Sequence, residues 1–158
     1  MIIGIDPGCS GAIVVITETG EYVDHLLMPT VTSGKSTRVN GAAIADFLDR
    51  KATGHVRAFI EKVGAMPGQG VTSMFTFGHA AGVVEGVIAG AMIPYTLVTP
   101  QTWKKSSGLS GSEKDAARSM AIRLYPGLRI LDQKIKGQAV ADALLIALHG
   151  MTAKIDLL

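Results

Sequence analysis

Apolar, largely β-branched residues fill positions 2–6 and 11–17, separated by Pro7-Gly8-Cys9-Ser10, and a third such run extends from Tyr22 to Met28 after Glu18-Thr19-Gly20-Glu21. Short runs bounded by Gly, Pro and polar clusters are strand signals, so the chain is expected to open with a three-stranded meander. Thr30 to Lys35 reads as a polar loop. Ala42, Ile44, Ala45, Phe47 and Leu48 then recur at near-helical spacing until Lys51 and Gly54, which predicts a helix. Two further apolar runs, Val56 to Val63 and Ile93 to Val98, flank a Gly- and Ala-rich stretch from about Ser73 to Ala91. The order strand, helix, strand follows.

Within that stretch Gly78, Ala80, Ala81, Gly82, Gly86, Ala89 and Gly90 lower helix propensity, and a helix there makes sense if it packs very closely. A buried central helix is therefore expected. Ser112-Glu113-Lys114-Asp115 has the polar, acidic character of a helix start, and Pro126-Gly127 stops the segment after about Leu124. Ala139 to Leu148 is apolar on almost every side, the pattern of a buried helix. Three strands followed by helices alternating with single strands predict an α/β fold, a mixed sheet with helices on its faces.

A chain of 158 residues, 47% hydrophobic and 18% charged, fits a single domain over residues 1–158. The single cysteine, Cys9, excludes an intramolecular disulfide and fits a reducing, cytoplasmic setting. Met1-Ile2-Ile3 opens without a basic lead, and no apolar run approaches the roughly 18 residues of a membrane span, so neither export nor a membrane is expected. A net charge of +2 implies no particular partner, but its distribution is uneven. Residues 100–136 carry eight Lys/Arg against three Asp/Glu, which reads either as a solvated helical face or as a phosphate-contacting patch.

Three carboxylates stand out against apolar surroundings. Asp6 ends the first strand in Ile3-Gly4-Ile5-Asp6-Pro7-Gly8, where it either caps a turn through its own side chain or points into a site. Glu61 interrupts the strand Ala58-Phe59-Ile60-Glu61-Lys62-Val63, and a buried carboxylate needs a partner or a cation; a salt bridge to Lys62 is the plain alternative. Asp142 is the only charge in Val140-Ala141-Asp142-Ala143-Leu144-Leu145. A favourable helix N-terminus contributes only ~0.3–1 kcal/mol, well below the penalty for burying an ion. Carboxylates brought together this way repel one another unless a cation compensates. Oxygen ligands select a hard ion such as Mg²⁺ or Mn²⁺, and the four histidines, His25, His55, His79 and His149, lack the local spacing of a zinc site. One or two such ions can activate water against a phosphodiester, which makes a nuclease the leading reading.

Ile3-Gly4-Ile5-Asp6-Pro7-Gly8 with Gly11, Phe59-Ile60-Glu61, Phe77-Gly78-His79-Ala80-Ala81-Gly82 and Ala141-Asp142-Ala143-Leu144 resemble, in order and separation, the successive motifs of RuvC-type Holliday junction resolvases along nearly the whole chain. The short length fits bacterial and bacteriophage members alike. The resemblance implies a ribonuclease H-like fold with a mixed five-stranded sheet and helices on both faces. It also implies a homodimer and symmetric, Mg²⁺-dependent cutting of four-way DNA junctions, with Mn²⁺ able to substitute. It assigns Asp6, Glu61 and Asp142 to the metal and catalytic site, and places Lys104, Lys105 and Lys114, with Arg118 beyond them, against the DNA backbone. Phe75 is the candidate for the aromatic residue that opens base pairs at the junction centre, although Met and Phe at helical spacing also suit a core. Trp103 could touch DNA, but a single Trp is more often a core anchor. The helix from Gly78 to Gly90 is the expected dimer interface.

One departure stands out. The family's fourth carboxylate falls three residues before Asp142, and this chain has Ala139 there, between Gln138 and Val140. Gln138, His149 or water would then complete the site, or the protein holds metal loosely, or it binds junctions and cuts them poorly. An actin-like or sugar-kinase ATPase domain, with Asp6-Pro7-Gly8 as its first phosphate loop, is a further reading, but such proteins duplicate that domain and 158 residues hold only one.

Overall fold

The computed structural model describes residues 1–34, 36–65 and 67–153; Lys35, Met66 and residues 154–158 lie outside the description. Strands β1 (Ile2–Asp6), β2 (Ala12–Ile16) and β3 (Tyr22–Leu27) form the expected antiparallel meander. Strands β6 (Arg57–Glu61) and β7 (Tyr95–Val98) then add to the other side of β1 in parallel, giving a five-stranded mixed sheet of order β3-β2-β1-β6-β7. β1 is thus the central strand, buried on both faces, which is why its sequence reads as a continuous apolar run and not an alternating one.

Alternate residues of the sheet feed two cores. Ile2, Val14, Ile16 and Phe59 face α5 (Lys134–Thr152), together with α3 (Pro100–Ser106) and α4 (Ala116–Leu124). Ile3, Ile5, Ile13, Val15 and Ile60 face α1 (Gly41–Lys51) and α2 (Val71–Gly90). Asn40 caps α1, its side chain accepting a hydrogen bond from the Ala43 N–H.

Gly4 sets the distance between the sheet and α5. A Cβ at that position would overlap the Ala143 carbonyl oxygen and the Ala147 nitrogen, so helix backbone rests directly on strand backbone. A second close approach occurs at Gly150, where a Cβ would overlap the Phe59 ring. α5 is the buried central helix of the molecule.

Several expectations need correction. Thr30 to Lys35 is not simply a loop: β4 (Thr30–Ser33) and β5 (Ser36–Val39) form a separate two-stranded hairpin, an exposed pairing that hydrophobic patterning does not reveal. The glycine-rich helix is not central. α2 buries Ala80, Ala81, Val84 and Ile88, while Gly78, Gly82, Gly86 and Gly90 are exposed with no described atom within 4 Å of where a Cβ would stand. By length and composition α2 also reaches what a membrane crossing requires, contrary to the reading of the apolar runs; its apolar face packs on the sheet. α3 was unexpected, although Thr99 caps it and Pro100 occupies its first turn. α4 starts only at Ala116, after Gly108 and Gly111 with positive φ, so Ser112-Glu113-Lys114-Asp115 is loop.

Gly4→Ala tests the seating of α5. Overpacking against backbone that cannot rotate aside should cost about 3 kcal/mol or more, read as a lower urea midpoint with far-UV circular dichroism as the structural check. An unchanged midpoint would show that the helix can shift to make room.

Candidate active site

Asp6 lies on the α5-facing side of β1, and Glu61 lies on the same side of β6. The parallel register pairs Ile5 with Ile60, so the next residues, Asp6 and Glu61, sit side by side at the C-terminal ends of adjacent strands. Parallel strands converge there on a crevice suited to ligands. Asp142 comes from α5, one residue before the Ala143 that rests on Gly4. The close helix–strand contact therefore brings the third carboxylate to the first two.

Each carboxylate has a distinct protein contact. The Gly8 N–H points at Asp6 Oδ1 at 3.4 Å, a weak version of the turn-capping role, so the turn and the site share one side chain. Gly11 makes room for it, since a Cβ there would overlap the Asp6 carbonyl oxygen. The Trp103 indole Nε1 donates to Glu61 Oε2 at 2.6 Å, and Gln138 Nε2 donates to Asp142 Oδ1 at 3.0 Å. Glu61 thus turns to Trp103; no ion pair with Lys62 is found among the described residues.

The three charges crowd one another. Burial first, and then the neighbouring Glu61 carboxylate, raise the Asp6 pKa to about 6 despite the Gly8 N–H. Burial and the charge of Asp6 raise the Asp142 pKa to about 7; Glu61 adds to the rise, while Gln138 and Lys104 oppose it. Among the described residues, no three His, Cys, Asp or Glu side chains are drawn tightly enough together to hold an ion as they stand. That spacing is what uncompensated carboxylates adopt, two of them leaning on side-chain donors and the third on a backbone N–H. The donor set is all oxygen, desolvated and mutually repelling, and so fits a hard divalent cation after small side-chain rotations.

A cleft of about 530 Å³ opens beside Asp6 and Asp142. Gln138, Ala139 and Ile135 of α5 form one wall; Lys114, Arg118 and Lys134 supply cationic groups, with Glu113 and Asp115 among them. Sequence reasoning missed Glu113, Asp115 and Lys134, because only the loop preceding α4 and the first turn of α5 bring them to the carboxylates. Ala139 contributes only a methyl group. His149 does not complete the site: its Nδ1 pairs with the Ser106 hydroxyl at 2.8 Å and its ring meets Phe59 edge-on.

The predicted basic residues divide. Lys104 sits over the Trp103 ring, with Nζ 5.4 Å from the centroid, and lines a smaller hollow with Glu113, Lys114, Gln138 and Asp142. Lys105 is exposed on α3 but lines neither cleft. The Arg118 Nη1 donates to the Leu131 carbonyl at 3.2 Å, while its Nε is buried without a partner among the described residues. Phe75 is 69% exposed near the start of α2. It stays apart from the carboxylate cleft, in a hollow with Cys9, Thr72, Thr76 and His79; Cys9, Thr72 and Thr76 also line the groove that reaches Asp6. Trp103, by contrast, is buried at 1% exposure.

The sheet order, with helices on both faces, is a ribonuclease H-like fold, as two solved structures bear out. "T. thermophilus RuvC in complex with Holliday junction substrate" superposes with a TM-score of 0.58 at 18% identity, covering 94% of this chain and 90% of that one. "Thermus thermophilus RuvC structure" gives 0.59 at 17% identity, covering 99% and 96%. Residues 2–149 match the family described as crossover junction endodeoxyribonuclease RuvC, and the chain belongs to that family. It is also 30% identical over 96 residues to the chloroplastic Holliday junction resolvase MOC1 of Chlamydomonas reinhardtii. That match takes in 60% of this chain but only 11% of the relative's length.

The raised carboxyl pKa values have a stability consequence. Asp6 and Asp142 hold protons more tightly folded than unfolded, so their favourable contribution is complete below about pH 4 and is lost as pH rises through about 6 and 7. Ion-free protein should therefore lose stability, on the order of 3 kcal/mol, between pH 5 and pH 8. Asp142→Asn or a millimolar hard divalent cation should recover most of it at pH 8. Thermal melts across this range check the sign; a melting temperature that rises with pH would contradict it.

Proposed function

We propose that this protein is a structure-selective endonuclease that resolves four-way DNA junctions by metal-dependent phosphodiester hydrolysis. The observation that carries the reading is the convergence of Asp6, Glu61 and Asp142 at the ends of β1, β6 and the buried part of α5, beside a wall bearing Lys104, Lys114, Arg118 and Lys134. Asp6 is central, because its charge is felt by Asp142 and it feels that of Glu61.

In this reading Asp6, Glu61 and Asp142 hold Mg²⁺, with Mn²⁺ as a substitute and one or two ions per site. The bound ions supply the positive charge that activates a water and stabilises the departing 3′ oxygen. The protein's own part is to position. Asp6 and Asp142 fix the donors on the strand and the helix, and the cationic wall seats the phosphates on either side of the scissile one. Lys105 extends the same basic surface along α3, and Phe75 stands exposed where a base could stack for ~1–3 kcal/mol. Recognition then rests on backbone contacts and junction shape, and binding should weaken steeply between low and moderate salt.

Symmetric cutting requires two copies. The exposed face of α2 supports this, since Gly78, Gly82, Gly86 and Gly90 recur every fourth residue with open space before them, as close helix–helix approach demands. Gly82→Leu should then leave a folded monomer that binds junctions but no longer makes paired nicks, as judged by light scattering and gel analysis.

A second reading has one specific observation in its favour, the bare methyl of Ala139 in the cleft wall: the protein binds junctions and cuts them poorly. Labelled immobile junction incubated in Mg²⁺ and in Mn²⁺ separates the two. Paired symmetric nicks that fall at least about a hundredfold in Asp6→Asn support the resolvase. Binding without nicking in either metal, with cutting restored by Ala139→Asp, would put the binder first.

A further inference from the structure

Val98 pairs with Glu61 across β6 and β7, and its carbonyl accepts the Lys62 N–H at 2.8 Å. Thr99 then caps α3, its Oγ1 accepting from the Thr102 N–H, and Pro100 fixes the first turn. The chain has therefore left Glu61 and turned back on itself by Trp103, whose indole N–H reaches Glu61 Oε2. α3 is held on its far side too: the Ser106 hydroxyl bridges the Trp103 carbonyl and His149 of α5. The indole itself is 1% exposed, packed into the core that α5 and α4 share. Buried tryptophan generally satisfies its single donor, and a backbone carbonyl would serve. Here the acceptor is the one carboxylate of the three that does not take its hydrogen bond from its own element or turn.

We infer that Trp103 is a positioning residue for the metal site: its indole N–H keeps Oε2 of Glu61 engaged, leaving Oε1 as the single oxygen that Glu61 presents to an ion. This rests on the reading of Glu61 as a metal ligand. Two further observations support it. Lys104, the next residue, lies over the indole ring and lines the hollow that reaches Asp142, so one short helix borders two of the carboxylates. The donor is also held before any ion arrives, because α3 is fixed by its cap, by the Val98 pairing and by Ser106. Outer partners that orient a ligand in this way are worth about ten- to a hundredfold in metal affinity.

Trp103 is the only tryptophan in the chain, which makes the test direct. Trp103→Phe removes the N–H and keeps an aromatic ring. Biosynthetic replacement of the indole by a benzothiophene isostere removes the N–H and keeps the ring size, so it guards against a variant that fails to fold. Mn²⁺ binding without DNA, read from the signal of free Mn²⁺ in electron paramagnetic resonance, should weaken about ten- to a hundredfold in both, with circular dichroism unchanged in the isostere. Mg²⁺, which does not quench by itself, should shift the emission of Trp103 in the native protein, and the shift should vanish in Glu61→Gln. Native Mn²⁺ affinity, or tighter binding, in the isostere would overturn the inference while leaving the nuclease reading intact. Native protein that binds no Mn²⁺ would overturn both.

Discussion

The acidic cluster exists because α5 sits directly on β1, and α5 can sit there because residue 4 has no side chain. With the Ala143 carbonyl and the Ala147 amide against the strand, Asp142 is delivered to the strand end that carries Asp6. Any larger residue at position 4 would lift the helix and separate the two carboxylates before it altered either of them. The same seating buries ten of the helix's residues, from Gly137 to Gly150, and so ties the site to the main core. The geometry of the acidic cluster and global stability are here one packing problem.

Electrostatics runs against that packing. The fold confines three carboxylates to a partly desolvated cleft, raises the proton affinity of two, and leaves Glu61 and Asp142 leaning on Trp103 and Gln138. Each neutral donor eases the charge without neutralising it. The cationic groups stand on α3, on α4 and the loop before it, and on the first turn of α5, with Glu113 and Asp115 among them. A cleft with carboxylates at its floor and a mixed rim in which Lys and Arg outnumber Glu and Asp suits a polyanion that arrives with a hard cation beneath it.

Much of this was legible in the sequence, for definite reasons. β1, β2, β6 and α5 each bury a face or a whole surface, and burial writes itself into hydrophobic spacing. Asp6, Glu61 and Asp142 were conspicuous because a charge inside an apolar run is costly. What stayed hidden depends on contacts between distant segments or on surfaces that bury nothing. Among the described side chains of the β4–β5 hairpin only Val39 is buried, so the strands carry no alternating signal. The glycines of α2 suggested close packing, yet within one chain they face open space. The Trp103–Glu61 bond joins residues 42 apart, and neither neighbourhood announces the other. Glu113 and Asp115 looked like a helix start because acidic residues favour that position, but two left-handed glycines delay α4.

Backbone-on-backbone contact also divides the site by its freedom of movement. Asp6 and Asp142 ride on a strand and a helix packed backbone to backbone, so their main chains form one frame within which only the side chains turn. The loop carrying Glu113 and Lys114 hangs on Gly108 and Gly111, outside that frame. On the proposed function, motion of that loop varies the charge around a seated phosphate without moving the backbones that carry the two carboxylates beneath it, which separates the grip on DNA from the hold on an ion.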